Sequence, residues 1–209
     1  MTIARPAAPL LALRFSQAIP VIMAACQIEP SARTAFNARI RQLQRLIASH
    51  VDDDRPSGPL AYGLVELAQL ATAIRLMAAF MVPTLAARYV IERWEILGPA
   101  LLAGAGPALP VDYTARRTIG DATILVIAGN ALADLGQQGR HDERYAGALG
   151  DVEVVAPAEL PGVSKILGGT CLILDATAYM PGIVQGFAKA VSATGPELAH
   201  ELDRLRFTR

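Results

Sequence analysis

Between Leu60 and Leu97 the chain runs for nearly forty residues as two helix-forming stretches that are apolar on most sides. From Leu60 to Val82 the polar side chains are Glu66, Gln69, Thr72 and Arg75, with Tyr62 as a half-polar aromatic. Each of the four follows the last by three residues. On a 3.6-residue turn such a series spirals around the cylinder and never makes one wet face. A helix of that kind has to be covered on nearly all sides by protein. It is the core of this chain or of a complex.

Composition bears on that choice. With 209 residues, 53% of them apolar, the chain can bury one good-sized core, or a core and a smaller lobe. Its mean hydropathy of +0.35 raises the question of a membrane. The charge-free stretches are too short for one: the longest, Ile96–Val111, is broken by Pro99, Pro107 and Pro110. A spanning helix needs about 20 apolar residues. The expectation is a protein with no membrane span, in the cytoplasm. Cys26 and Cys171 are the only cysteines and have no metal or redox spacing, which suits a reducing compartment. The alternative is a lipoprotein anchored at Cys26, because Arg5 and Arg14 precede an apolar run ending at that residue.

The pattern along the chain predicts an α+β fold, predominantly helical. Residues 1–30 read as an extended N-terminal arm, 31–106 as a helical core and 107–110 as a linker. Residues 111–209 read as a smaller C-terminal lobe with a few short strands, one continuous domain being the alternative. Ser31 stands as a helix cap ahead of Phe36, Ile40, Leu43 and Ile47, a stripe at helical spacing. A polar loop over 50–58 follows, and Ser57 with Pro59 reopens a helix. Pro83 kinks the long helix or starts a second one, which Gly98 and Pro99 should end. Phe80, Tyr89 and Trp94 lie at helical spacing and are expected in the core. Runs at 123–127, 152–155 and 171–174 read as strands, the first with a helix as alternative. Thr194 and Glu197 form a capping box ahead of Leu198, Leu202 and Leu205.

Residues suited to chemistry are few. His141 and Asp142, between Arg140 and Arg144, can supply a general base near neutral pH, and Lys165 and Asp175 lie at the ends of strand-like runs. Gly129 and Asn130 after the first strand form an anion-binding turn if a helix opens there. Arg39, Arg41 and Arg45 sit on a helix without acidic residues and can contact phosphate or a partner. Asp112 to Arg117 followed by Ala128 to Leu132 resembles a fragment of the polyprenyl synthase pattern. Asn130 stands where that family has Asp, the metal-binding aspartate repeat is missing, and no diphosphate chemistry is carried over. No cofactor or metal is expected.

Abundant apolar helix and scarce catalytic residue types favour a non-catalytic interaction or assembly subunit, bound to other protein subunits or to copies of itself. Two alternatives stand beside it. One is a small-molecule enzyme with its site at the C-terminal strand ends, and the other a nucleic-acid-contacting subunit of a ribonucleoprotein.

Overall fold

The computed structural model describes residues 9–50, 61–128, 149–166 and 171–207, with the backbone alone at 49–50, 164–166 and 207. The helices are α1 (Phe15–Ala25), α2 (Arg33–His50), α3 (Leu64–Ala78), α4 (Pro83–Glu92) and α5 (Trp94–Gly104), followed by α6 (Val111–Arg116). After strands β1 (Ile124–Ala128) and β2 (Val152–Val155) come α7 (Leu160–Ile166), β3 (Cys171–Asp175), α8 (Met180–Val191) and α9 (Gly195–Phe207). The fold is α+β and predominantly helical. The polar loop at 50–58 and the helix restart at Ser57 and Pro59 fall, beyond His50, outside the described residues.

The apolar middle third is covered from within the chain. Leu64, Val65, Leu67, Ala68, Leu70 and Ala71 of α3 are all buried, as are Leu85, Tyr89 and Val90 of α4 and Trp94 and Leu97 of α5. One apolar core reaches from Leu13 to Leu205 and takes in every helix pair around α3. The stripe on α2 is buried as its spacing requires, although Ser31 lies in a 3-10 turn (Pro30–Ala32) that leads into the helix and does not cap it. On α9 Glu197 makes its half of the capping box. The Thr194 N–H and hydroxyl both donate to Glu197 Oε2, at 3.0 and 2.7 Å, and hold that carboxyl below its usual range.

Two helices run through an interior proline, the second through one expected to end it. Part of the supposed extended arm is α1, with Pro20 inside it, and α5 runs through Gly98 and Pro99 to Gly104. An interior proline costs about 3 kcal/mol through its missing N–H and its clash with the preceding turn. Here Ile19, Val21, Ile22 and Met23 on α1, and Leu97, Leu101 and Leu102 on α5, are buried around it. Burying a single such side chain contributes about 1.5–3 kcal/mol, so packing outweighs local preference. Pro83 behaves conventionally, at the first position of α4.

The sheet has the order β2-β1-β3, with β1 antiparallel to both neighbours. Residues 123–127 thus resolve in favour of a strand. Leu125, Ile127, Leu172 and Leu174 face the helical core, while Ile124, Val126 and Val155 turn the other way, toward Leu160 and Val163 of α7. A continuous apolar run is what a strand covered on both faces requires. Among the described residues, no helix is long and apolar enough to cross a membrane.

Candidate functional site

Among the described residues, polar side chains gather at three places. The first is where α3 and α9 meet the extended segment ahead of α1. Glu201, fully buried, accepts the Leu10 N–H at 2.8 Å on one carboxylate oxygen and an Arg204 N–H at 2.7 Å on the other. The same guanidinium reaches Glu66 of α3 at 3.8 Å. Gly63 caps α3 at this point, and a Cβ there would fall 2.7 Å from Pro9 and 2.9 Å from both Arg204 and Glu66. A side chain there would displace Pro9 and the Arg204 and Glu66 head groups from their present places. Burial raises the Glu66 carboxyl above its ordinary value and the Glu201 charge adds to the effect, while Arg204 and the Glu66 and Gly63 N–H groups pull the other way.

A second group lies between α1, α3 and α8. Thr72 and Tyr179, both buried, share a hydrogen bond of 2.9 Å, and the Cys26 thiol points at the Ala71 carbonyl at 3.9 Å. Burial pushes the Cys26 thiol up to about 12 against the opposing charge of Arg75, so the sulfur is kept as a neutral thiol. Burial likewise raises Tyr179. A buried thiol of that kind packs as a small apolar group and is a poor nucleophile. The third group is at the surface, where Asp203 accepts from Arg117 at 2.9 and 3.1 Å and from the Tyr113 hydroxyl at 3.1 Å. The Arg117 hydrogen bonds hold the Asp203 carboxyl below its usual range. This group ties α6 to α9.

The positions singled out in the sequence fall elsewhere. Gly129, Asn130, His141 and Asp142 lie outside the described residues, and of Lys165 only the backbone, in α7, is described. Asp175 ends β3 and spends one oxygen on a turn, accepting the Thr177 N–H at 2.8 Å and its hydroxyl at 2.7 Å. Arg39, Arg41 and Arg45 are exposed on α2; Arg39 donates to Gln42 and Arg41 lies over the Phe15 ring. Among the described residues, no three His, Cys, Asp or Glu side chains stand close enough together to hold a metal ion.

Two features escaped the sequence reading. The acid–guanidinium cluster had one faint trace, since Glu201 falls at the edge of the Leu198, Leu202 and Leu205 stripe. Its partners, Glu66 and Leu10, are far off in the chain and carry no local mark. Phe80 is the other, and it corrects an expectation. Tyr89 and Trp94 are buried, but Phe80 is 86% exposed. It terminates α3 in a left-handed conformation with φ of 68°. The Met81 N–H donates to the Leu76 carbonyl and the Phe80 N–H to that of Met77, while Leu76 and Met81 are both buried. That is a complete Schellman motif with phenylalanine at the position glycine usually fills.

No family model matches this chain, and no curated protein or solved structure matches it at a significant level.

Proposed function

We propose that the protein is a non-catalytic assembly subunit that docks onto another protein subunit through the turn carrying Phe80. The observation behind this reading is the conformation and exposure of that one residue. A non-glycine residue in the left-handed region costs on the order of 1–2 kcal/mol, and an aromatic ring left in water forgoes the burial that would offset it. Backbone strain held at an exposed aromatic is a reason to look for a function. A ring in that place has the form of an interface anchor, since exposed aromatics dominate binding energy once a partner covers them. The apolar length of α3 to α5 no longer supports the proposal, because the chain covers it itself.

Phe80→Gly separates stability from association. The variant should be more stable than the wild type by about 1 kcal/mol in urea unfolding, because glycine relaxes the turn. It should at the same time lose self-association in sedimentation velocity, or lose the stoichiometric subunit that co-purifies with the wild type from its native host. A wild-type chain that sediments as a monomer at every concentration and retains no stoichiometric subunit would count decisively against docking.

A second reading rests on α2. Its four arginines, Arg33, Arg39, Arg41 and Arg45, are all exposed, and the helix has no acidic side chain to neutralise them. A face of one sign attracts polyanions, and the attraction weakens steeply with salt. Arg41→Ala with Arg45→Ala should elute from heparin at clearly lower salt than the wild type. Equal elution would dispose of a nucleic-acid role for this face.

A further inference from the structure

Residues 9–14 form an extended strap ahead of α1, and its Leu13 exchanges both main-chain hydrogen bonds with Tyr62, at 2.9 and 3.0 Å. The Tyr62 ring has its centroid 6.2 Å from that of Phe15, with the planes tilted by 57°. From α2, Gln44 donates a side-chain N–H to the Tyr62 hydroxyl, and the Arg41 guanidinium lies over the Phe15 ring, 5.3 Å from its centre. Tyr62 is buried, Phe15 half-buried and Arg41 exposed, so the stack runs from the core to the surface and ends on a cation. We propose that this stack is the seat for an unpaired base and that the surface of α1 and α2 binds single-stranded nucleic acid. The base lies on Arg41, and the neighbouring phosphates are taken by Arg14 and Arg45. This rests on the basic-face reading of α2 given above.

Charge draws in any polyanion, and the aromatic ring is what selects among them. An arginine on an open helix surface ordinarily moves freely in water, whereas Arg41 is held against Phe15 by cation–π attraction. A planar guanidinium stacks on an aromatic face, and every base has such a face. In a duplex those faces are already stacked on one another, so the seat suits a single strand. An acidic protein or an anionic bilayer would be drawn by the same charge but presents no base for Arg41 to hold. Arg45 follows Arg41 by one helical turn and Arg14 precedes Phe15 in the chain, so exposed cations flank the seat. Among the described residues these three arginines form no ion pair, and Glu92 on α4, which packs against α2, is taken by Arg88 at 2.9 Å. Residues 9–60 carry six arginines against Glu29, Asp52, Asp53 and Asp54, so the segment stays positive wherever the three aspartates lie.

Two labelled probes, a short oligothymidylate and an abasic strand of equal length, carry the same phosphates with and without bases. In fluorescence anisotropy the full chain should bind the first about fivefold or more tightly than the second. Phe15→Leu removes the ring, and Arg41→Lys keeps the charge without the plane. Each should bring the oligothymidylate down to the abasic level and leave the abasic affinity unchanged. Arg45→Ala should instead weaken both strands and reduce the slope of log affinity against log salt by about 0.7. Arg41→Lys changes only a surface side chain and decides the matter if Phe15→Leu fails to fold. Equal wild-type affinity for the two strands, binding of neither, or tighter binding to a duplex or to phosphatidylserine vesicles overturns the proposal. Equal affinities with a loss of heparin retention in Arg41→Ala combined with Arg45→Ala would leave the basic-face reading in place, whereas unchanged heparin retention removes both.

Discussion

Replacing Arg204 by methionine is expected to destabilise the fold by about 3–5 kcal/mol, the range for removing one partner of a buried ion pair. Methionine keeps most of the aliphatic bulk, so the loss reports charge and hydrogen bonding more than volume. Glu201 is fully buried, and without the guanidinium it retains, among the described residues, the Leu10 N–H. Its neighbour Glu66 would add a second acid and no cation. The pair's attraction is not itself the source of the penalty. A carboxylate withdrawn from water with nothing to balance it is. For that reason Arg204→Met combined with Glu201→Gln should recover at least half of the loss, a coupling that a double-mutant cycle isolates. Urea unfolding of the four proteins measures it. A single-variant cost below about 1 kcal/mol would mean that water reaches this cluster in solution.

Gly98→Ala adds one methyl group and should cost at least about 2–3 kcal/mol, at or beyond the usual range for overpacking. A Cβ at this position would collide with the Leu205 carbonyl oxygen and lie 3.3 Å from its carbon. The obstacle is backbone of α9, so no change of rotamer relieves it, and the two helices must separate. Leu101, Leu102, Leu202 and Leu205, all buried, would then lose contact across the core. Gly106→Ala is the control. Among the described residues nothing lies within 4 Å of a Cβ there, and alanine should be neutral or slightly stabilising because it restricts the unfolded chain. Equal midpoints for the two variants in thermal or urea unfolding would show that α5 and α9 do not pack so closely in solution.

The large effects thus come from positions that sequence periodicity treats as ordinary. Gly98 reads as a helix stop beside Pro99, and its actual role is to let α5 and α9 touch. Arg204 reads as a basic residue in the last turn of an amphipathic helix, where a cation is normal, and its role is to neutralise an acid inside the protein. Neither can be recognised without its partner. The sites proposed from glycine turns and from His141 and Asp142 rest on local composition alone, and those residues lie outside the described part of the chain. Asp175, which is described, serves a turn.

What the sequence determined by itself is whatever depends on residues a few positions apart. The stripe on α2, the Thr194–Glu197 pair and leucines of α9, the strands at 152–155 and 171–174 and the need of α3 for cover on nearly all sides are all of this kind. Each arises from side chains within one or two turns or along one strand, where spacing dictates which face must leave water. Spacing alone left open whether Pro83 kinks a helix or starts one and whether 123–127 is strand or helix. Tertiary structure decided the rest. Helices persist through Pro20 and Pro99 because distant elements bury the residues around them. Phe80 is in solvent because the chain turns in a left-handed conformation at the end of α3, and the polar cluster exists because α3, α9 and the strap converge. These outcomes are energy balances between segments as far apart as Leu10 and Glu201, and a chain read in order contains no term for them.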